Sequence, residues 1–267
     1  TGEDLFYAGI EAGNASGPLA SLDSAVEVGD TLNVHSLFYA FPVGDLEVTV
    51  GPLLDQDDVV AATTSEYSES FLLGSMPFSL GGLETGPGVG VAYSNDNGLV
   101  ASISFVSSDG ADPAVGIGGD DGDDVSTFTL GYNGEGFGGG LVLTSQDGEG
   151  TGIAGEYNTF GGGFYYSPES IDATISVAYD TLDADDLGLE ASDWFVGIDY
   201  EVGPGTLSAA YSSTDVDDSD DGDSTGFEVS YSYGINDSVT ITPGFFTVEN
   251  SDGDDATGVV VETAFSF

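Results

Sequence analysis

The chain of 267 residues carries 48 Asp and Glu, one His and neither Lys nor Arg, for a formal charge of −48; average usage would supply about 30 basic residues. With no cation to neutralise phosphates, nucleic-acid partners are excluded, as are a P-loop lysine, an arginine finger and a basic patch for anionic lipid surfaces. With no Cys, disulfides, zinc–thiolate sites and thiol nucleophiles are excluded too.

Hydrophobic residues at 40% and aromatics at 11% are too many for a disordered acidic tail. No apolar run reaches the roughly 18 residues of a transmembrane helix. The chain opens at Thr1 without a signal peptide, which reads as a processed or truncated product.

Taken in chain order, apolar and small or polar side chains alternate over segments of about ten residues, the period of β-strands. The segments are 4–12, 31–43, 46–54, 85–94, 98–108, 124–133, 137–146, 150–160, 162–167, 171–182, 192–202, 205–214, 225–235, 239–249 and 256–267. The stretch 150–167 reads as one strand or as a hairpin, so the expected count is about 14, within 12–16. Clusters of Gly, Asp, Asn and Ser separate the segments. This series predicts an all-β fold: a transmembrane antiparallel barrel in one domain over 1–267.

Orientation decides the function class. From 194 to 202, Trp194, Val196, Ile198, Tyr200 and Val202 oppose Phe195, Gly197, Asp199 and Glu201. The polar faces carry mainly Gly, Ala, Ser and Thr with scattered carboxylates. Aromatics gather near the segment ends: Phe6 and Tyr7, Phe38 to Phe41, Tyr132, Tyr165 and Tyr166, Phe245 and Phe246. A soluble sandwich would turn long charged residues outward, Lys on its edges included. Apolar side out, small polar side in and rings at both interfaces describe a transmembrane barrel in lipid around a watery lumen. Asp172, Asp180, Asp199, Glu201, Glu228 and Glu262 are then lumen-facing carboxylates.

The longest break in the alternation runs from Asp55 to Leu83. A loop that long is uncommon without a task, and it keeps Val59, Val60, Phe71, Leu72, Leu73, Met76 and Phe78 among its acids. It is expected to fold into the barrel mouth as a constriction loop over 55–83, with a helical turn near 66–73. Asp55, Asp57, Asp58, Glu66 and Glu69 would then form an acidic ring, which concentrates cations and repels anions. The structural alternative is a loop that caps the barrel or packs between subunits.

Acidic runs fill other turns, at 120–124, 183–186, 215–223 and 252–255, and read mainly as solvated surface. Their repulsion decays over roughly 8 Å in physiological salt, so this surface suits a salty exterior. Asp217, Ser219 and Asp221, with Gly222 and Glu228, have calcium-loop spacing. Strands flank them instead of helices, and chance matches are common in so acidic a chain. Loose Ca²⁺ or Mg²⁺ binding at these turns is compatible with the sequence; no other cofactor is expected. His35 is the only imidazole, so neither a Ser-His-Asp triad nor a His metal cluster presents itself, and no enzyme is expected.

The closing strand ends Ala264-Phe265-Ser266-Phe267, and Phe267 resembles the sorting signal of bacterial outer-membrane barrels. A second likeness runs through Tyr39-Ala40-Phe41-Pro42-Val43-Gly44, the strand through Thr49-Val50-Gly51-Pro52 and the acidic loop from Asp55-Gln56-Asp57-Asp58. With the opening strand from Gly2 to Asn14, these segments resemble cyanobacterial porins of the OprB-type, carbohydrate-selective family. The resemblance implies an outer-membrane channel assembled as a homotrimer and passing small hydrophilic solutes, often behind a cell-wall-binding segment. The chain departs from that family in its shorter length and in having no lumen arginine. The leading expectation is a cation-selective passive porin. The alternative is a secreted or surface-displayed acidic calcium-binding β-protein with a structural or adhesive role.

Overall fold

Alternating side chains build fourteen strands, because a pleated chain sends successive residues to opposite faces. They are β1 (Leu5–Glu11), β2 (Asn33–Val43), β3 (Leu46–Asp55), β4 (Thr85–Ser94), β5 (Leu99–Ser107), β6 (Asp124–Gly134) and β7 (Phe137–Asp147), followed by β8 (Tyr157–Tyr166), β9 (Ala173–Ala184), β10 (Leu189–Val202), β11 (Gly205–Val216), β12 (Ser224–Asn236), β13 (Val239–Asn250) and β14 (Ala256–Phe265). This computed structural model describes residues 2, 4–17, 22, 25–26, 28–68, 84–119, 122–147, 156–184, 188–217, 223–250 and 255–267. The stretch read as one strand or two becomes the single strand β8, and residues 150–155 fall outside the described set.

Every strand pairs antiparallel with its neighbours in sequence, giving one sheet in the order β1 to β14. Among the described residues no ladder joins β14 to β1. In lipid, open edges would leave backbone groups unpaired, so such a sheet spans only as a closed barrel. Tight turns join alternate pairs at one end. Gly44 and Gly203, both at φ 65°, open two of them, a conformation that two-residue hairpins demand and side chains resist. Long connections, including 12–32, 56–84 and 108–123, gather at the other end. By the usual barrel rule, the short turns face the periplasm and the long loops face outside.

Burial is inverted relative to a soluble protein. Thr129 and Ser208 on the inner side are 0% exposed, whereas Ile103 and Val259 on the outer side are 58% and 78% exposed. Outer rings pack as neighbours, Trp194 with Tyr211 at 5.2 Å and Tyr132 with Phe137 at 5.5 Å. The aromatic pairs need a correction, because adjacent strand residues cannot share a face. Tyr7 stacks on Phe38 at 4.9 Å, and Phe38, Tyr165 and Phe246 are buried on the inner side. Their partners Phe6, Tyr39, Tyr166 and Phe245 stay outside. Apolar contacts within the sheet are small islands, such as Phe38, Leu54, Val59 and Val106, or Leu22 with Phe246. No helix among the described residues is long and apolar enough to cross a membrane.

Candidate functional site

The site begins where β3 breaks its own ladder. Pro52 has no N–H to donate, and the registers with β2 and β4 both shift around Gly51–Leu54. The bulge turns Leu54 fully inward, as bulges re-aim a strand. A 3-10 turn over Gln56–Val59 follows. It is held by the Asp55 N–H donating to Asp58 Oδ2 at 2.9 Å and the Val60 N–H donating to Asp57 O at 3.0 Å. This turn precedes the expected helical one; 66–68 has no helical structure, and 69–73 lies outside the described residues.

From there the chain crosses the inner wall, strand by strand. The Gln56 amide donates to Thr127 and Thr144 at 2.9 and 3.2 Å. The Ala61 N–H reaches Ser102, the Thr63 N–H reaches Asn133, and the Glu66 N–H reaches Ser176, each at 3.0–3.1 Å. The Ser68 N–H donates to Asp199 Oδ2 at 2.9 Å, and the Tyr67 hydroxyl donates to Glu228 Oε1 at 2.7 Å. The Tyr67 ring also packs on Phe195 at 5.3 Å. The small polar residues of the wall thus satisfy a backbone with no sheet partner of its own.

Glycines make room for it. A side chain at Gly163 would strike the Thr64 backbone, one at Gly197 the Tyr67 ring, and one at Gly131 or Gly140 the Ala62 methyl. The runs Gly138-Gly139-Gly140 and Gly161-Gly162-Gly163 therefore carry a signal: glycine inside a strand marks a close approach of other chain. Tyr67 and these glycines are the positions that the sequence analysis did not single out.

The acids expected in one ring divide into two groups. Asp55, Asp57 and Asp58 gather where the segment begins, their nearest oxygens all within 4.8 Å of one another, a spacing that could hold a cation. Thr85 donates to Asp55, Ser36 Oγ donates to Asp58 at 3.4 Å, and His35 Nδ1 stands 3.9 Å from Asp55. Asp58 keeps surface toward solvent, yet desolvation by the wall, then repulsion from Asp55 and Asp57, pushes its pKa up to about 6. Hydrogen bonds from the Asp55 N–H and Ser36 oppose that shift. Glu66 lies at the other end of the segment, and Glu69 lies outside the described residues.

Beneath Glu66, toward the short turns, a cavity of ≈ 600 Å³ is lined by Glu66, Glu135, Glu169, Asp172, Asp199 and Glu201 together with small turn residues. Three of the six expected lumen acids are here. Of the others, Asp180 is buried in the β9 wall, Glu228 lies under Tyr67, and Glu262 is half-buried on the inner side of β14. In the calcium-like run, Asp217 donates its N–H to Glu190 O at 2.9 Å, while Ser219 and Asp221 lie outside the described residues. The exposed apolar outer face gives no support to a soluble calcium-binding β-protein.

Solved structures share this fold at low identity. A loop L8 deletion mutant of OmpT, an outer membrane protein of Vibrio cholerae, superposes with a TM-score of 0.67 at 14% identity, covering 91% of this chain and 83% of its own. In-vitro folded OmpT of Vibrio cholerae in its trimer form gives 0.61 at 15%, covering 90% and 81%. OprB of Pseudomonas putida at high pH gives 0.61 at 10%, covering 97% and 76%. No curated protein sequence matches significantly. The sequence model of the Gram-negative porins matches residues 46–261, most of the chain; it belongs to that family and lies in the outer membrane as a β-barrel channel.

Proposed function

We propose that the protein is a passive, cation-selective diffusion channel for inorganic ions and small hydrophilic solutes, working as a homotrimer. The observation that carries this reading is the cavity under Glu66, walled by six carboxylates in a chain with no Lys or Arg to offset them. A low-dielectric wall focuses such a field and raises the local cation concentration. Permeation of this kind needs no cofactor and no conformational cycle, and family and fold point to a channel rather than an enzyme. The trimer form of the Vibrio cholerae OmpT structure supports the oligomeric state. The pattern from Tyr39 to Asp58 supports kinship with OprB-type carbohydrate-selective porins, in which neutral sugars would pass without regard to the field.

Reversal potentials in a planar bilayer under a KCl gradient test the proposal. Cation preference is expected, and it should weaken when Asp199→Asn and Glu201→Gln are combined. A preference for chloride would overturn it.

A further inference from the structure

The outer wall is apolar along its middle but turns polar at the long-loop end of β6 to β9, and a groove of ≈ 510 Å³ spans that boundary. Phe128, Leu143 and Phe160, set side by side by the ladders, line its apolar half. Ser126, Ser145, Asn158 and Asp183 form the next outward row toward the long loops and line its polar half. All of these side chains are exposed. A second groove of ≈ 480 Å³ continues from Phe160 toward the middle of the band. Its floor is Gly162, which has no side chain between Phe160 and Phe164, and Leu141 and Tyr179 wall it from the strands on either side. The two grooves make one track along β8 from Asn158 to Phe164, about 20 Å long at the usual strand rise.

Acyl chains of any lipid can fill the apolar stretch, so the polar end does the selecting. Across four strands, about 4.8 Å apart, it presents a hydroxyl, a hydroxyl, an amide and a carboxylate. Hydroxyls and the amide both donate and accept, and the carboxylate accepts. Asp147 follows on the same outer face of β7, and Glu190 is the cross-strand partner of Asp183. With no Lys or Arg in the chain, a phosphate here would meet carboxylates and no charge-assisted donor. The hydroxyls of an uncharged sugar find donors and acceptors in alternation and bring no charge to be repelled.

We propose that this track binds a glycolipid with an uncharged sugar headgroup. The sugar hydroxyls bond Ser145, Asn158 and Asp183, and one acyl chain runs past Phe160 and over Gly162. The site lies on the outer wall, so it is independent of the channel's ion selectivity.

The chain carries its own reporter. Trp194 is its only tryptophan, exposed on the outer face and paired across the ladder with Tyr179, which pairs in turn with Gly162. It stands two strands, about 10 Å, from the track. The full chain in phosphatidylcholine vesicles is titrated separately with monoglucosyl diacylglycerol, phosphatidylglycerol and phosphatidylethanolamine, all with the same brominated acyl chains. The sugar lipid is expected to quench Trp194 half-maximally at about a tenfold lower mole fraction than either phospholipid, the effect of one or two net hydrogen bonds. Asn158→Ala combined with Asp183→Ala removes that preference, while Thr263→Ala on the outer face of β14 keeps it. Should the double variant fail to fold, native mass spectrometry of the wild-type protein, released from vesicles with the three lipids in equal parts, decides by which lipid stays bound. Equal quenching by all three, stronger quenching or retention of a phospholipid, or a preference that survives in the folded double variant would each overturn the site. So would disulfide self-crosslinking of Asn158→Cys, a single-cysteine chain, because the groove would then hold a second copy.

Discussion

Single side chains set the chemistry of the inward segment. Asp58, with a pKa pushed up to about 6, is mostly ionised at pH 7 and mostly neutral at pH 5. Folding disfavours its charged form, so its contribution to stability grows as pH falls through 6 toward the usual carboxylate value of about 4. The mouth loses negative charge over the same window. Cation selectivity should therefore fall with a midpoint near pH 6, and Asp58→Asn should remove that step while keeping an acceptor for the Asp55 N–H. Bilayer reversal potentials between pH 5 and 7.5 check it. Tyr67 reports on the far end of the segment. Tyr67→Phe removes the donor at 2.7 Å from a fully buried Glu228. A bond to a charged group is worth about 1.5–3 kcal/mol, and urea unfolding in detergent should register a loss of that order.

At the level of elements, strands were legible because period-two patterning writes itself residue by residue. Outside 150–167, where two expected segments correspond to the one strand Tyr157–Tyr166, predicted and observed bounds differ by a few residues at most, as in 192–202 against Leu189–Val202. The path of 56–68 was only partly legible. Its apolar content and the break in alternation announced an inward turn, and the Gly51-Pro52 bulge supplied a local cause. Which wall residues receive it depends on contacts 41 to 161 positions apart in the chain, which no local pattern encodes. For the same reason Glu66 separated from Asp55, Asp57 and Asp58: an extended crossing segment carries charges ten residues apart to different strands. Gly163→Val tests the crossing, because a branched side chain there meets the Thr64 backbone. Overpacking of this kind costs about 1–3 kcal/mol. Thermal unfolding should shift accordingly, and single-channel conductance should fall as the segment is pushed off the wall toward the lumen.

For the whole molecule, orientation is the decisive property. Leu141, in the middle of β7 and 48% exposed, stands in the outer apolar band. Leu141→Arg should cost about 2–4 kcal/mol at the bilayer midplane, measured by folding into vesicles, whereas a soluble protein would tolerate it. The charge of −48 acts at the same scale. Its reach shrinks with the Debye length, so cation over anion preference should decline between about 0.1 and 1 M KCl. The notches that receive residues 59–67 have a consequence for protein engineering. Transplanting a sibling channel's inward segment into this barrel would fail unless the recipient's matching indentations travelled with it, so pore size here is a joint property of two distant stretches of sequence.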